Sequence, residues 1–198
     1  MRSLLQEIKK TAVLALPICL GQLGHVLTGV ADYTMLGHTV PLEMAGATFA
    51  TSVFFPIMIL GLGFSIGLTP LVANANGAKD SRKVKTLFRT GFKLNLILGI
   101  LLLGVLLFFG NYLEVFNQPQ EVLDVCLDYY YIISFSIIPL MLFQAFKQFV
   151  EGLQDTKTPM VISLLGNVIN VILNYFLIFG WGEYEGMGII GAGISTLI

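Results

Sequence analysis

Long apolar runs alternate with short polar connections along this chain, at roughly 11–37, 45–76, 91–113, 126–149, 159–180 and 187–198. A helix needs about 20 apolar residues to cross a bilayer. The first five runs therefore each predict a transmembrane helix, and the sixth predicts the start of another. The runs are too long for barrel strands and lack the period-two alternation of lipid-facing and lumen-facing positions. The expected fold class is all-α, a polytopic membrane protein with six spans. The longest connections, Gly77–Thr90 and Glu114–Val125, leave no room for a soluble domain, so residues 1–198 read as a single membrane domain. Pro17, Pro56, Pro70, Pro139 and Pro159, with Gly61, Gly63, Gly67 and Gly77, interrupt the runs and predict kinks or close helix contacts.

Composition agrees with a lipid solvent: 56% of the 198 residues are hydrophobic and 12% are charged, where a soluble domain carries about 25% charged residues. Mean hydropathy is +0.83. The net charge of -1 hides an asymmetry. All eleven basic residues fall on one side of the six-span arrangement: Arg2, Lys9 and Lys10, then Lys79, Arg82, Lys83, Lys85, Arg89 and Lys93, then Lys147 and Lys157. The opposite connections carry Glu43, Glu114, Glu121, Asp124, Asp128, Glu183 and Glu185 and no Lys or Arg. The positive-inside rule puts the N-terminus in the cytoplasm of a multi-pass inner (plasma) membrane protein. The basic loops read as orientation signals and lipid headgroup contacts, and no nucleic-acid partner is expected. Although Lys9 and Lys10 precede the first run, it is too long for a signal peptide's apolar core, so cleavage is not expected. Cys19 and Cys126 lack metal-ligand spacing and read as packing residues.

Asp32 is the only carboxylate within the run Thr11–Gly37. An ionised Asp in hydrocarbon costs at least ~2.5 kcal/mol, which makes such a residue a functional candidate by default. Span one travels outward, so Asp32 lies about five residues, or ~7.5 Å, below its outer end. By the same reckoning Asn174 and Asn170 of span five, Thr196 of span six and the Tyr129–Tyr131 cluster of span four reach a similar layer. Asn167, Asn170 and Asn174 share one helix face, as do Gly21, His25, Thr28 and Asp32. A carboxylate, two amide oxygens and a hydroxyl suit a hard cation such as Na⁺, or a hydrogen-bonded pocket for a proton. Each also has a plainer reading: cross-helix glue for the Asn residues, a satisfied interior residue for His25, an interfacial aromatic belt for the tyrosines.

Several stretches resemble the multidrug and toxic compound extrusion (MATE) transporter family, especially its prokaryotic NorM-type branch. They are Leu16-Pro17 followed by Gly29-Val30-Ala31-Asp32-Tyr33-Thr34-Met35-Leu36-Gly37, then Pro70-Leu71-Val72-Ala73-Asn74-Ala75-Asn76-Gly77-Ala78, and then Phe149-Val150-Glu151-Gly152-Leu153-Gln154-Asp155-Thr156-Lys157-Thr158-Pro159. Asn170-Val171-Ile172-Leu173-Asn174-Tyr175-Phe176-Leu177-Ile178-Phe179-Gly180 and Gly191-Ala192-Gly193-Ile194-Ser195-Thr196 complete the set in family order. The resemblance implies a twelve-helix, two-lobe transporter that exports small amphipathic or cationic compounds in exchange for Na⁺ or H⁺. This chain would be its six-helix N-lobe, with the sixth helix truncated and the C-terminal lobe missing, as in a fragment, truncated product or split chain; alone it is not expected to transport.

Carried over residue by residue, the family's N-lobe cation site maps to Asp32, Asn170, Asn174 and Thr196, with Tyr131 as an addition and His25 and Thr28 as cavity-lining candidates. Asp32, Asn170 and Asn174 would be the metal ligands if the coupling ion is Na⁺, and no other cofactor is expected. Asn174 stands where some members have Asp, which leaves Asp32 as the only carboxylate of the layer. Two other readings stay open: a flippase for a lipid-linked precursor on the same fold, which would call for basic residues deep in the spans, and a non-transporting half-lobe that acts as an assembly module. An enzyme is not expected, since the spans carry no hydrolase constellation, metalloprotease motif or phosphate-binding loop.

Overall fold

The computed structural model describes residues 2–182 and 184–198, with no side-chain description for residues 2–5, 7, 10 and 184. Glu183, one of the outer acidic residues, lies outside the described set. Among the described residues, eight helices follow one another: α1 (Arg2–Gly37), α2 (Pro41–Ile66), α3 (Leu68–Gly77), α4 (Ser81–Gly110), α5 (Gln120–Phe135), α6 (Ile137–Gly152), α7 (Lys157–Phe179) and α8 (Ile189–Leu197). A 3-10 turn, Leu113–Phe116, follows α4. A short antiparallel hairpin of β1 (Gly180–Trp181) and β2 (Tyr184–Glu185) separates α7 from α8. Among the described residues, five segments are long and apolar enough to cross a membrane: Thr11–Gly37, Pro41–Gly77, Ser81–Gly110, Gln120–Gly152 and Lys157–Phe179. They coincide with the first five expected spans, and the nine-residue α8 occupies the sixth.

The second and fourth spans are each broken in two, and proline chemistry accounts for both breaks. Proline has no N–H, so the carbonyl four residues before it loses its helical donor. The α2 helix ends at Ile66, four residues before Pro70, and α5 ends at Phe135, four residues before Pro139. At each break the next amide turns back to a tighter acceptor: Gly67 N–H to the Phe64 carbonyl at 3.2 Å and Ser136 N–H to the Ile133 carbonyl at 3.1 Å. Pro17 and Pro56 lie inside α1 and α2 without ending them.

Helices α2, α4, α5 and α6 build the core around Ala50, Leu106, Tyr130, Ile137 and Met141, all fully buried. Small residues let the backbones approach, as expected where lipid removes the hydrophobic drive for helix association. Gly46 packs on the backbone of Cys126, and Gly99 on Ile138 and Met141. Polar side chains tie helices together within this apolar body. Ser65 Oγ donates to Asn95 Oδ1 at 2.5 Å, linking α2 to α4; Thr69 Oγ1 donates to Gln148 Oε1 at 2.6 Å, linking α3 to α6; and the Tyr130 hydroxyl donates to the Leu106 carbonyl at 2.8 Å.

Beside these four helices, α1 packs along α7, with Gly21 against Met160, Gly24 against Leu164 and Asn167, and Asp32 against Asn174, and the two reach the core through Leu36 and Ile178. Position numbers rise together along both helices, so the two run parallel. The hairpin then folds α8 back onto α7: Met187 N–H donates to the Leu177 carbonyl at 2.7 Å and Gly188 N–H to the Ile178 carbonyl at 3.3 Å. A Cβ at Gly191 would lie 2.4 Å from the Leu177 carbonyl oxygen, so only glycine permits this approach. These contacts fix the register of α8 against the asparagine stripe of α7.

Candidate functional site

Three helices place a closed set of polar side chains between them. Asn174 of α7 is fully buried. Its Nδ2 donates to Asp32 Oδ1 of α1 at 2.5 Å and to Asn170 Oδ1, one turn away on α7, at 3.2 Å. Its Oδ1 accepts from the Ser195 hydroxyl of α8, which also lies 2.8 Å from the Ala192 carbonyl. Asn170 Nδ2 closes the set by donating to the Ser195 backbone carbonyl at 2.9 Å. Spacing explains the α7 contribution, since residues four apart on a helix are neighbours. The α1 contribution comes from parallel packing on α7, and the α8 contribution from the hairpin.

The ring is directional. Every donor in it points toward an oxygen, and the Asp32 carboxylate stands at the accepting end. Among the described residues no group of three or more His, Cys, Asp or Glu side chains could hold a metal. A hard cation here would rely on one carboxylate plus neutral oxygens, a set that suits Na⁺ better than a transition metal.

The ring thus brings Asp32, Asn170 and Asn174 together. The other candidates take different positions. Thr196 is exposed, and its hydroxyl donates to the Ala192 carbonyl of its own helix at 2.9 Å. Tyr131 packs over Gly110 of α4 beside Tyr130, away from the ring. Its neighbour Tyr129 turns the other way and lies against Gly193 of α8. His25 is exposed on α1, and the Thr28 hydroxyl bonds back to the Gly24 carbonyl at 3.0 Å. Ser195 is the member that sequence reasoning missed. Residues 195 and 196 are adjacent on a helix and point about 100° apart, so depth alone could not choose between two neighbouring hydroxyls.

Long apolar spans, two of them broken, with a single-carboxylate polar ring between α1, α7 and α8, define a polytopic, all-α membrane protein. The chain belongs to the MatE family, whose model matches residues 17–176. The probable multidrug resistance protein NorM of Photorhabdus laumondii is 31% identical over 193 residues, which cover 98% of this chain and 43% of that protein. The multidrug resistance protein MdtK of Yersinia pestis is 29% identical, over 99% of this chain and 43% of the relative. Two solved structures share the fold: MATE in the bent conformation, with TM-score 0.86 and 22% identity over 96% of this chain and 42% of that one, and the outward-facing conformation of a multidrug resistance MATE family transporter, with TM-score 0.84 and 21% identity over 96% and 41%. The chain spans about two-fifths of the length of the curated relatives it matches. Its fold is that of a MATE N-lobe.

Proposed function

We propose that this chain forms the N-lobe of a secondary transporter that exports amphipathic or cationic compounds in exchange for Na⁺ or H⁺, with Asp32 as the coupling group. The observation that carries the reading is the hydrogen bond from buried Asn174 to Asp32, inside a ring that presents oxygens from three helices. The names of the NorM and MdtK relatives, which are multidrug resistance proteins, support the export role. The one-sided distribution of Lys and Arg supports a cytoplasmic N-terminus in a plasma membrane.

Mechanistically, a cation or proton arriving from outside neutralises Asp32 and removes the cost of holding its charge away from water. The ion shifts the equilibrium between two packings of the lobe only as far as its affinity for them differs. The α1 helix is the element placed to respond, because it carries Asp32, contains Pro17 and packs mainly on α7, reaching the core only near its end through Leu36. A second lobe would complete the substrate cavity and couple ion entry to substrate release. Flippase chemistry fits less well, since no Lys or Arg joins the ring.

The test is transport of a fluorescent organic cation by the complete two-lobe transporter in proteoliposomes, with Na⁺ and pH gradients imposed separately. Gradient-dependent transport in wild type and its loss in Asp32→Asn, with insertion retained, is the expected result. Normal gradient-dependent transport by Asp32→Asn sinks the reading.

A further inference from the structure

The Asn174 amide has a nitrogen where a coupling ion would need an oxygen. Its Nδ2 faces both Asp32 Oδ1, at 2.5 Å, and Asn170 Oδ1, at 3.2 Å, and its own Oδ1 faces the Ser195 hydroxyl. In this setting the amide's two N–H groups supply the positive ends that the two acceptor oxygens require, so the ring is complete without an ion. Turning the amide over would bring Asp32 Oδ1, Asn170 Oδ1 and Asn174 Oδ1 together. Three acceptors facing one another are stable only if a cation sits between them or a proton on Asp32 donates to Asn174.

The rear of the amide must be satisfied in both settings, since a buried polar group left without a partner is costly. Ser195 is built for that task. A hydroxyl carries one donor and two acceptor lone pairs and rotates to suit its neighbours. Now it donates to Asn174 Oδ1; with the amide reversed it can accept from Nδ2 while its proton goes to the Ala192 carbonyl, already 2.8 Å away. Ser195 is 2% exposed, so water cannot take its place.

We infer that Asn174 is a two-position amide that turns its oxygen toward Asp32 when the coupling ion binds, and that Ser195 is the positioning residue that keeps the amide paired in both positions. The inference rests on the proposed coupling role of Asp32. It adds a role for Ser195. It also accommodates either ion, because Na⁺ and a protonated Asp32 make the same demand on the amide.

The experiment measures the half-saturating Na⁺ and H⁺ concentrations for transport by the complete transporter in proteoliposomes, together with the substrate KM and the maximal rate. Wild type, Ser195→Ala, Ser195→Thr and Asp32→Asn are compared. In Ser195→Ala the ion-bound setting buries an unpaired N–H, while the ion-free setting leaves an unpaired carbonyl, the more readily tolerated of the two. Its half-saturating concentration for the coupling ion should therefore rise roughly 2- to 10-fold, the worth of about one net hydrogen bond. Substrate KM should stay within about twofold, and Ser195→Thr, which keeps the hydroxyl, should restore ion affinity. Unchanged ion half-saturation in Ser195→Ala, or a defect that Ser195→Thr leaves in place, overturns the inference while the coupling role of Asp32 stands. Absence of ion dependence in wild type, or intact coupling in Asp32→Asn, overturns both. If Ser195→Ala fails to insert, the isosteric Ser195→Cys carries the same test, with a smaller rise expected from its weaker donor and acceptor.

Discussion

The Glu43 carboxylate lies directly against Gly188, so close that a Cβ on residue 188 would come within 2.4 Å of Oε1 and 2.9 Å of Oε2. Thr39 Oγ1 holds the same carboxylate by donating to Oε2 at 2.8 Å. This contact joins the first turn of α2 to the start of α8, and α8 carries Ser195 into the ring. Gly188 also has φ 55 and ψ -129, a conformation open almost only to glycine. We expect Gly188→Ala to destabilise the lobe by ~1–3 kcal/mol from backbone strain, with a further loss from the clash. Thermal unfolding in detergent reads the effect, and a double-mutant cycle separates the two causes. In a Glu43→Ala background the strain remains and the clash goes, so the second Gly188→Ala should cost less than the first. Equal costs in both backgrounds would show that the carboxylate does not constrain Gly188.

Ser65 and Asn95 test the weight of a buried polar tie outside the ring. Both are nearly inaccessible, and their 2.5 Å contact links α2 to α4. Cross-helix hydrogen bonds in membranes average ~0.6 kcal/mol and reach ~1.7 at most, because the separated helices also find partners. Ser65→Ala should therefore lower stability by about that range rather than by the larger penalties of soluble cores. Ion half-saturation should not move, since neither residue touches Asp32. A shifted ion response in Ser65→Ala would mean that the two polar clusters communicate.

How far the sequence reveals this molecule follows from what its signals encode. Apolar run length reports on the solvent, and it predicts six spans; the described helices reproduce the first five at membrane-crossing length, and the nine-residue α8 occupies the sixth. Asp32 is legible for the same reason: a carboxylate in oil stands out. Asn170 and Asn174 are legible through helical spacing. Ser195 is not, because choosing it over Thr196 requires the rotation of α8, which the hairpin at residues 180–185 and the tight contacts of Gly186, Gly188 and Gly191 determine. Strands of two residues have no periodicity to read. Tyr131 fails similarly: three consecutive tyrosines point in three directions, and only packing against α4 or α8 sorts them.

Asp155 offers a pH test at the turn between α6 and α7, outside the spans. Its Oδ1 accepts from the amides of Lys157 and Thr158, both at 3.1 Å, and its Oδ2 accepts from the Thr158 hydroxyl at 2.6 Å, so it satisfies orphan donors at the start of α7. Side-chain and backbone bonds from Thr158 hold the Asp155 pKa below its ordinary value. A carboxylate with a depressed folded-state pKa stabilises the structure above its unfolded value, about 3.9, and loses that contribution as pH falls through the folded value. Protection of the Lys157 and Thr158 amides against hydrogen exchange, corrected for intrinsic pH dependence, should hold at neutral pH and fall below about pH 4. In Asp155→Ala it should be weak at every pH. A pH-independent wild type would remove the capping role.

Two proline substitutions test whether the broken spans are built by local chemistry or by packing. Pro70→Ala and Pro139→Ala each restore an N–H able to reach the carbonyls of Ile66 and Phe135, where α2 and α5 now end. Restoring the bond favours a continuous helix by ~0.5–1.5 kcal/mol, while losing proline's restriction of the unfolded chain costs ~0.4–1. Stability should therefore change by less than about 1 kcal/mol in either direction. Local exchange should change more: amides around Gly67 and Ser136 should become better protected as the tight turns to Phe64 and Ile133 give way to regular α-helix. The Thr69 bonds to Gln148, at 2.6 Å to Oε1 and 3.1 Å to the backbone carbonyl, hold α3 on α6 and resist its realignment with α2. Pro139→Ala should thus straighten its span more readily than Pro70→Ala. If protection near Gly67 stays as in wild type in Pro70→Ala and rises only when Thr69→Val is added, the α3–α6 tie rather than proline maintains that break.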